Sequence, residues 1–173
     1  MKPKRYLSAV FLLGALLAVA SCAGDRTATG PDLAPPNLDL TDGLLKRTGL
    51  LDCSPLPYAS ATKTIGPDGG TIVVGPHKFV VPEGALPAPV TITAEAPTSS
   101  RRVVEFAPEG LRFRKPASLT MSYEGCTLIG SLLPRIAYVD GLNILYYLPS
   151  FPDANTETVT GMLQHFSQYA VAW

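Results

Sequence analysis

Residues 71–95 read TIVVGPHKFVVPEGALPAPVTITAE, and this stretch decides the fold. TIVV (71–74) and KFVV (78–81) are short β-branched runs, and Gly75-Pro76 between them is a turn signal. VTITAE (90–95) alternates apolar and polar residues, the period of a half-buried strand. LTMSY (119–123) does the same. Residues 135–139 and 143–148 flank Asp140-Gly141, a dipeptide suited to a tight hairpin turn. Residues 159–163 and 168–173 supply two more strands. No stretch keeps a helical period, and residues 124–134 read either as a loop or as one helical turn. The 17 prolines also weigh against helices, since each removes a donor and fixes the backbone. Strands at roughly ten-residue spacing, punctuated by Gly and Pro, predict an all-β chain folded as a two-sheet β-sandwich.

The N-terminus has a different character. Met1-Lys2-Pro3-Lys4-Arg5-Tyr6 carries three cations, and an apolar run from residue 7 to residue 20 follows. That run has the length of a signal-peptide core and falls short of the roughly 20 residues that cross a bilayer. It ends in Val19-Ala20-Ser21-Cys22, which resembles the bacterial lipobox. The resemblance implies cleavage before Cys22 and acylation of its thiol. Ala23, standing where some lipoproteins carry aspartate, implies the outer membrane. Residues 23–39 (AGDRTATGPDLAPPNLD) cannot bury enough apolar surface to order themselves and read as a tether. Residues 40–51 read either as a short helical turn or as a lead-in packed against the domain near Cys53. The expected organisation is therefore a signal peptide over 1–21, a lipidated tether and lead-in over 22–60, and the sandwich over 61–173.

Removing Lys2, Lys4 and Arg5 from the 14 basic residues leaves 11 against 14 acidic ones. A mildly acidic mature chain has no electrostatic reason to seek nucleic acid. Arg112, Arg114 and Lys115, the densest basic group, read as the wet face of a strand. With Cys22 spent on lipid, Cys53 and Cys126 remain as a pair in an oxidising compartment. A disulfide between them is expected in preference to two separate buried thiols.

Several landmarks recur in a fixed order: Gly69-Gly70-Thr71, Val81-Pro82-Glu83-Gly84-Ala85-Leu86, Thr91-Ile92-Thr93, Phe106-Ala107-Pro108-Glu109-Gly110-Leu111, Phe113, Lys115-Pro116 and Leu119-Thr120. The series ends in His165-Phe166-Ser167-Gln168-Tyr169-Ala170-Val171. Together they resemble the ZU-five domain of zonula occludens proteins, netrin receptors and ankyrins, over about residues 64–172. Two of the landmarks have a plain physical reading. Gly84 and Gly110 each sit where a strand gives way to a turn that favours a positive φ, and Phe106 and Leu111 are placed to enter the core.

His165-Phe166-Ser167 matches the tripeptide at which some ZU-five domains cut themselves. The resemblance implies that His165 takes the proton of Ser167, whose oxygen attacks the carbonyl carbon of Phe166. The amide becomes an ester, which water then splits. Phe166 and Tyr169 lie on opposite strand parities, which requires a strand buried on both faces or a kink between them. The competing reading has Phe166 in the core, with His165 and Ser167 bonded to backbone. His77, after Gly75-Pro76, reads as a turn residue, and neither histidine has a neighbour at metal-ligand spacing. Asp68-Gly69 and Asp140-Gly141 are explained as turns without calcium. No cofactor motif appears.

Three functions stay open. The first is a non-catalytic interaction or structural module at the cell envelope, bound to an envelope protein or glycan and to the membrane through its lipid. The second is self-processing between Phe166 and Ser167. The third is a glycan-binding sandwich using Tyr138, Tyr146 and Tyr147. The first is the expectation adopted.

Overall fold

The computed structural model describes residues 49–173. The expected signal peptide, Cys22, the expected tether and most of the 40–51 segment lie outside the described residues. The described chain is all-β and antiparallel, with its sheets packed together in a β-sandwich-like arrangement. In chain order the strands are β1 (Asp52–Cys53), β2 (Ala59–Ile65), β3 (Gly70–Val74), β4 (His77–Val81), β5 (Val90–Ala96), β6 (Val103–Ala107) and β7 (Arg112–Ser122). They continue with β8 (Cys126–Thr127), β9 (Arg135–Asp140), β10 (Asn143–Tyr147), β11 (Ser150–Asp153), β12 (Thr158–His165) and β13 (Gln168–Ala172). One sheet runs β10-β9-β13-β6-β5-β2, the other runs β11-β12-β7-β4-β3, and β1 pairs with β8.

The expected hairpins form, with informative shifts. Val74 pairs with His77, so Gly75-Pro76 is a two-residue turn with Gly75 at φ 53°. His77 is therefore no turn residue: it opens β4 and is 1% exposed. Asp140 pairs with Asn143, which moves the second turn onto Gly141-Leu142. A two-residue turn that follows the twist of its strands needs a positive φ at its first central position, and only glycine takes it cheaply. Residues 124–134 contain β8 and a turn, not a helix. Arg112, Arg114 and Lys115 are exposed on β7 around buried Phe113, as a wet strand face requires.

The core between the sheets is aromatic at one end. Phe106 stacks on Phe166 with centroids 4.8 Å apart and planes 6° from parallel. Phe113 meets Phe166 edge-on at 5.0 Å, and Phe79 tilts against Phe106 at 4.8 Å. Such pairs add to the burial of their area because ring edges and faces carry opposite partial charge. A second apolar cluster joins Leu50, Val103, Ala137, Val139, Ala170 and Ala172, with Ile144 and Tyr147 packed against it. β13 is consequently buried on both faces. The chain also turns a corner at Phe166-Ser167, where it leaves one sheet for the other, so both solutions to the parity problem are present.

The lead-in completes the sheet. Leu50 bridges to Ala172, Leu51 N–H donates to Val171 O at 3.1 Å, and Trp173 N–H donates to Gly49 O at 3.0 Å. Paired structure thus starts ahead of residue 61.

Candidate functional site

β12 ends at His165 and β13 begins at Gln168, which leaves Phe166 and Ser167 to make the corner. The Phe166 amide is held on both sides. Its N–H donates to Leu111 O at 2.8 Å, and Gly110 N–H donates to its oxygen at 3.1 Å. The turn after β6, which contains the cis Ala107-Pro108 bond, supplies that donor. Phe106 N–H donates to Ser167 O at 3.3 Å.

His165 Nδ1 lies 3.2 Å from the oxygen of Phe166. With its proton on Nδ1 the ring donates to that oxygen. Its face is set by Tyr138, which stands edge-on at 5.4 Å and 83°. The Tyr169 hydroxyl donates to His165 O at 2.6 Å. Burial, then the neighbouring Tyr138, pushes the Tyr169 phenol well above its ordinary range, so it remains a donor. Ser167 is buried, and among the described residues no hydrogen bond joins it to His165. The arrangement polarises the Phe166 carbonyl through two donors, yet the nitrogen that does so is not placed on the Ser167 oxygen. One nitrogen cannot serve both.

A cleft of about 390 Å³ borders the corner, with Glu105, Glu109, Asp140 and Gln168 among its walls. Gln168 spans it by donating to Glu105 and accepting from Gly141 N–H. Among the described residues no group of three or more His, Cys, Asp or Glu is arranged to hold a metal ion. Tyr138 and Tyr146 pair across β9 and β10 and share a face. Tyr147 takes the opposite face, beneath the Arg135 guanidinium at 4.4 Å. The three rings do not form one platform.

The other end of the fold carries the disulfide expected from the sequence, and beside it an arginine clamp that sequence reasoning missed. Cys53 and Cys126 are bridged. Arg102 is 3% exposed, and its Nη1 and Nη2 donate to Ser54 O and Glu124 O, each at 2.7 Å. It grips the residues that flank the two cysteines. Charged donors of this kind contribute more than neutral ones because the burial that weakens competition from water strengthens them. His77 lies against the same end, accepting from Ser122 N–H through Nδ1 at 3.2 Å. Burial, with Arg102 nearby, lowers its pKa from 6.5 to about 4.

That depression has a sign. The unfolded chain binds a proton at His77 as pH falls below 6.5, and the folded chain does not until about 4. The stabilisation is complete above 6.5 and is lost as pH falls through that window, in all about 3 kcal/mol. Urea midpoints at pH 7 and pH 4.5 should therefore diverge far more in the parent than in His77→Asn. Equal divergence would mean that other groups carry the acid sensitivity.

Beside the disulfide, Leu128, Ile129, Leu132 and Leu133 project from the loop between β8 and β9. A cavity of about 320 Å³ at its foot is lined by Leu50, Asp52, Arg101, Thr127, Ile129 and Trp173. No protein-family model matches the chain, and no curated protein matches it.

Proposed function

We propose that the chain is an exported lipoprotein, acylated at Cys22, whose ZU-five-like β-sandwich is a non-catalytic interaction and structural module of the bacterial envelope, on the outer membrane. The observation that carries this reading is the Cys53–Cys126 disulfide. Such bonds persist beyond the cytosol, where thiols are not kept reduced. The bond also ties the lead-in, which would connect to the lipid, to the body of the fold. The His165 ring is committed to a backbone oxygen, as a structural corner requires.

A second reading, self-processing between Phe166 and Ser167, is favoured by the two donors on the Phe166 oxygen. Charge develops on that oxygen when a hydroxyl attacks the carbonyl carbon, and preplaced donors stabilise it. The reading still requires a base at Ser167 that His165 does not supply in this orientation.

Intact-mass analysis of the protein purified from a membrane fraction tests both. The expected mass carries acyl groups on Cys22, lacks the thiol hydrogens of Cys53 and Cys126, and shows no break after Phe166. An unmodified Cys22 would remove the envelope reading. A pair of fragments meeting at Phe166 and Ser167 would select self-processing.

A further inference from the structure

We propose that the 128–133 loop is a membrane-contacting finger, which dips its leucines into the bilayer surface to which the chain is tethered. The proposal rests on the envelope reading and names the surface that this end of the fold faces. Four observations carry it.

The first is the chemistry of the loop. Leu128, Ile129, Leu132 and Leu133 are 43–66% exposed, and residues 126–134 (CTLIGSLLP) contain no charge. Single exposed leucines are ordinary on protein surfaces, but four on one uncharged loop are not. The second is shape. Leu132 N–H donates to Ile129 O at 3.1 Å, with Gly130 at φ 57°, so the apolar residues flank a closed turn. That turn satisfies one backbone pair, and at interfacial depth the leucine side chains can enter while the other backbone groups of the loop stay in reach of water. The third is a rigid base: the disulfide and the Arg102 clamp fix the strand from which the loop springs.

The fourth is where the rest of the chain arrives. Asp52 pairs with Thr127, and Leu50 and Ile129 line one cavity, so the lead-in enters beside the finger. Residues 23–48 separate Cys22 from the first described residue. Even fully extended, 26 residues reach at most roughly 90 Å, which bounds how far the described fold can stand from the residue proposed to carry the lipid. Arg135 and Trp173 stand at this same end, where Arg135 pairs with Ala172. Basic and indole side chains are the types that settle at headgroup level. A protein partner would be served equally by the leucines alone. The neighbouring tether and the Arg-Trp collar select the membrane.

The test uses the acylated protein in phosphatidylethanolamine–phosphatidylglycerol vesicles whose acyl chains carry bromine, with Trp173 as the parent's single tryptophan. A reporter is added by Leu133→Trp, by Leu128→Trp, or by Leu142→Trp in the hairpin turn at the far end of β9. None of these side chains is part of the core. Bromine quenching over the parent should be at least threefold greater for the two finger reporters than for Leu142→Trp, with aqueous iodide showing the opposite order. Equal bromine quenching at all three, with the acyl group confirmed by mass, overturns the finger and leaves the envelope reading standing. An unmodified Cys22 overturns both. Finger reporters shielded from bromine and iodide alike would assign the loop to a protein partner and overturn membrane contact.

Discussion

Opening the Cys53–Cys126 bridge, by reduction or by replacing both cysteines with alanine, is expected to lower the free energy of unfolding by about 4 kcal/mol. The bridge closes a loop across a sequence separation of 73, and a loop of that length removes much freedom from the unfolded chain. The native side of the balance points the same way. Cys53 is 7% exposed, its N–H donates to Ser100 O at 2.8 Å, and Ser54 N–H donates to Gly125 O at 2.9 Å. Arg102 joins the two segments through Ser54 O and Glu124 O. Without the covalent link, two-residue strands must hold this register by themselves, and short isolated pairs do that poorly. Urea unfolding with and without reductant measures the loss. A change below about 1 kcal/mol would show that the Arg102 clamp suffices by itself.

Phe166→Ala should cost a comparable amount, about 3–5 kcal/mol, because the cavity it leaves cannot collapse. Phe166 is 1% exposed and touches Phe79, Phe106 and Phe113 from three directions. Its backbone is pinned by Leu111 and Gly110, so the main chain cannot move in to fill the space. Phe166→Leu, which keeps much of the volume, should cost less than half as much. Ser167→Ala should change stability by less than about 1 kcal/mol, since the Ser167 side chain takes no hydrogen-bond partner among the described residues. Denaturation midpoints of the three variants decide the matter. A large loss in Ser167→Ala with a small one in Phe166→Ala would reverse the roles given to the corner.

Much of the β architecture was legible because its strands alternate. Residues 90–95 show one face to the core and one outward, and the observed pattern of β5 follows that alternation. The extent of β6 was not legible, although the turn after it was, for the opposite reason: Val103 enters the outer cluster and Val104 the core, so no period of two appears. β11 escaped because Pro152 interrupts it, which only an edge strand tolerates. His77 was misread because turn chemistry extends just to Gly75-Pro76, while its burial depends on β7 and Arg102, remote in sequence. Nothing in Arg101-Arg102 says which arginine goes inside. That choice is made by carbonyls 48 and 22 residues away, brought together only in the folded chain. The disulfide pairing was legible from the number of cysteines and the compartment expected for an exported chain. His165-Phe166-Ser167 was legible as a motif, but the atom that His165 faces depends on the Gly110 turn and on Tyr138.

The way Gly49, Leu50 and Leu51 lie along the end of β13 has a mechanical corollary. Any tension drawn through the lead-in enters the sheet at an interior strand, not at a free margin that could unzip. It can strip only the few residues from Gly49 to Asp52 before the load passes, through sulfur, to Cys126 and the long strand before it. Past that point the load falls on a covalent bond, so what such a pull can uncover is confined to the sites that Leu50 and Leu51 fill.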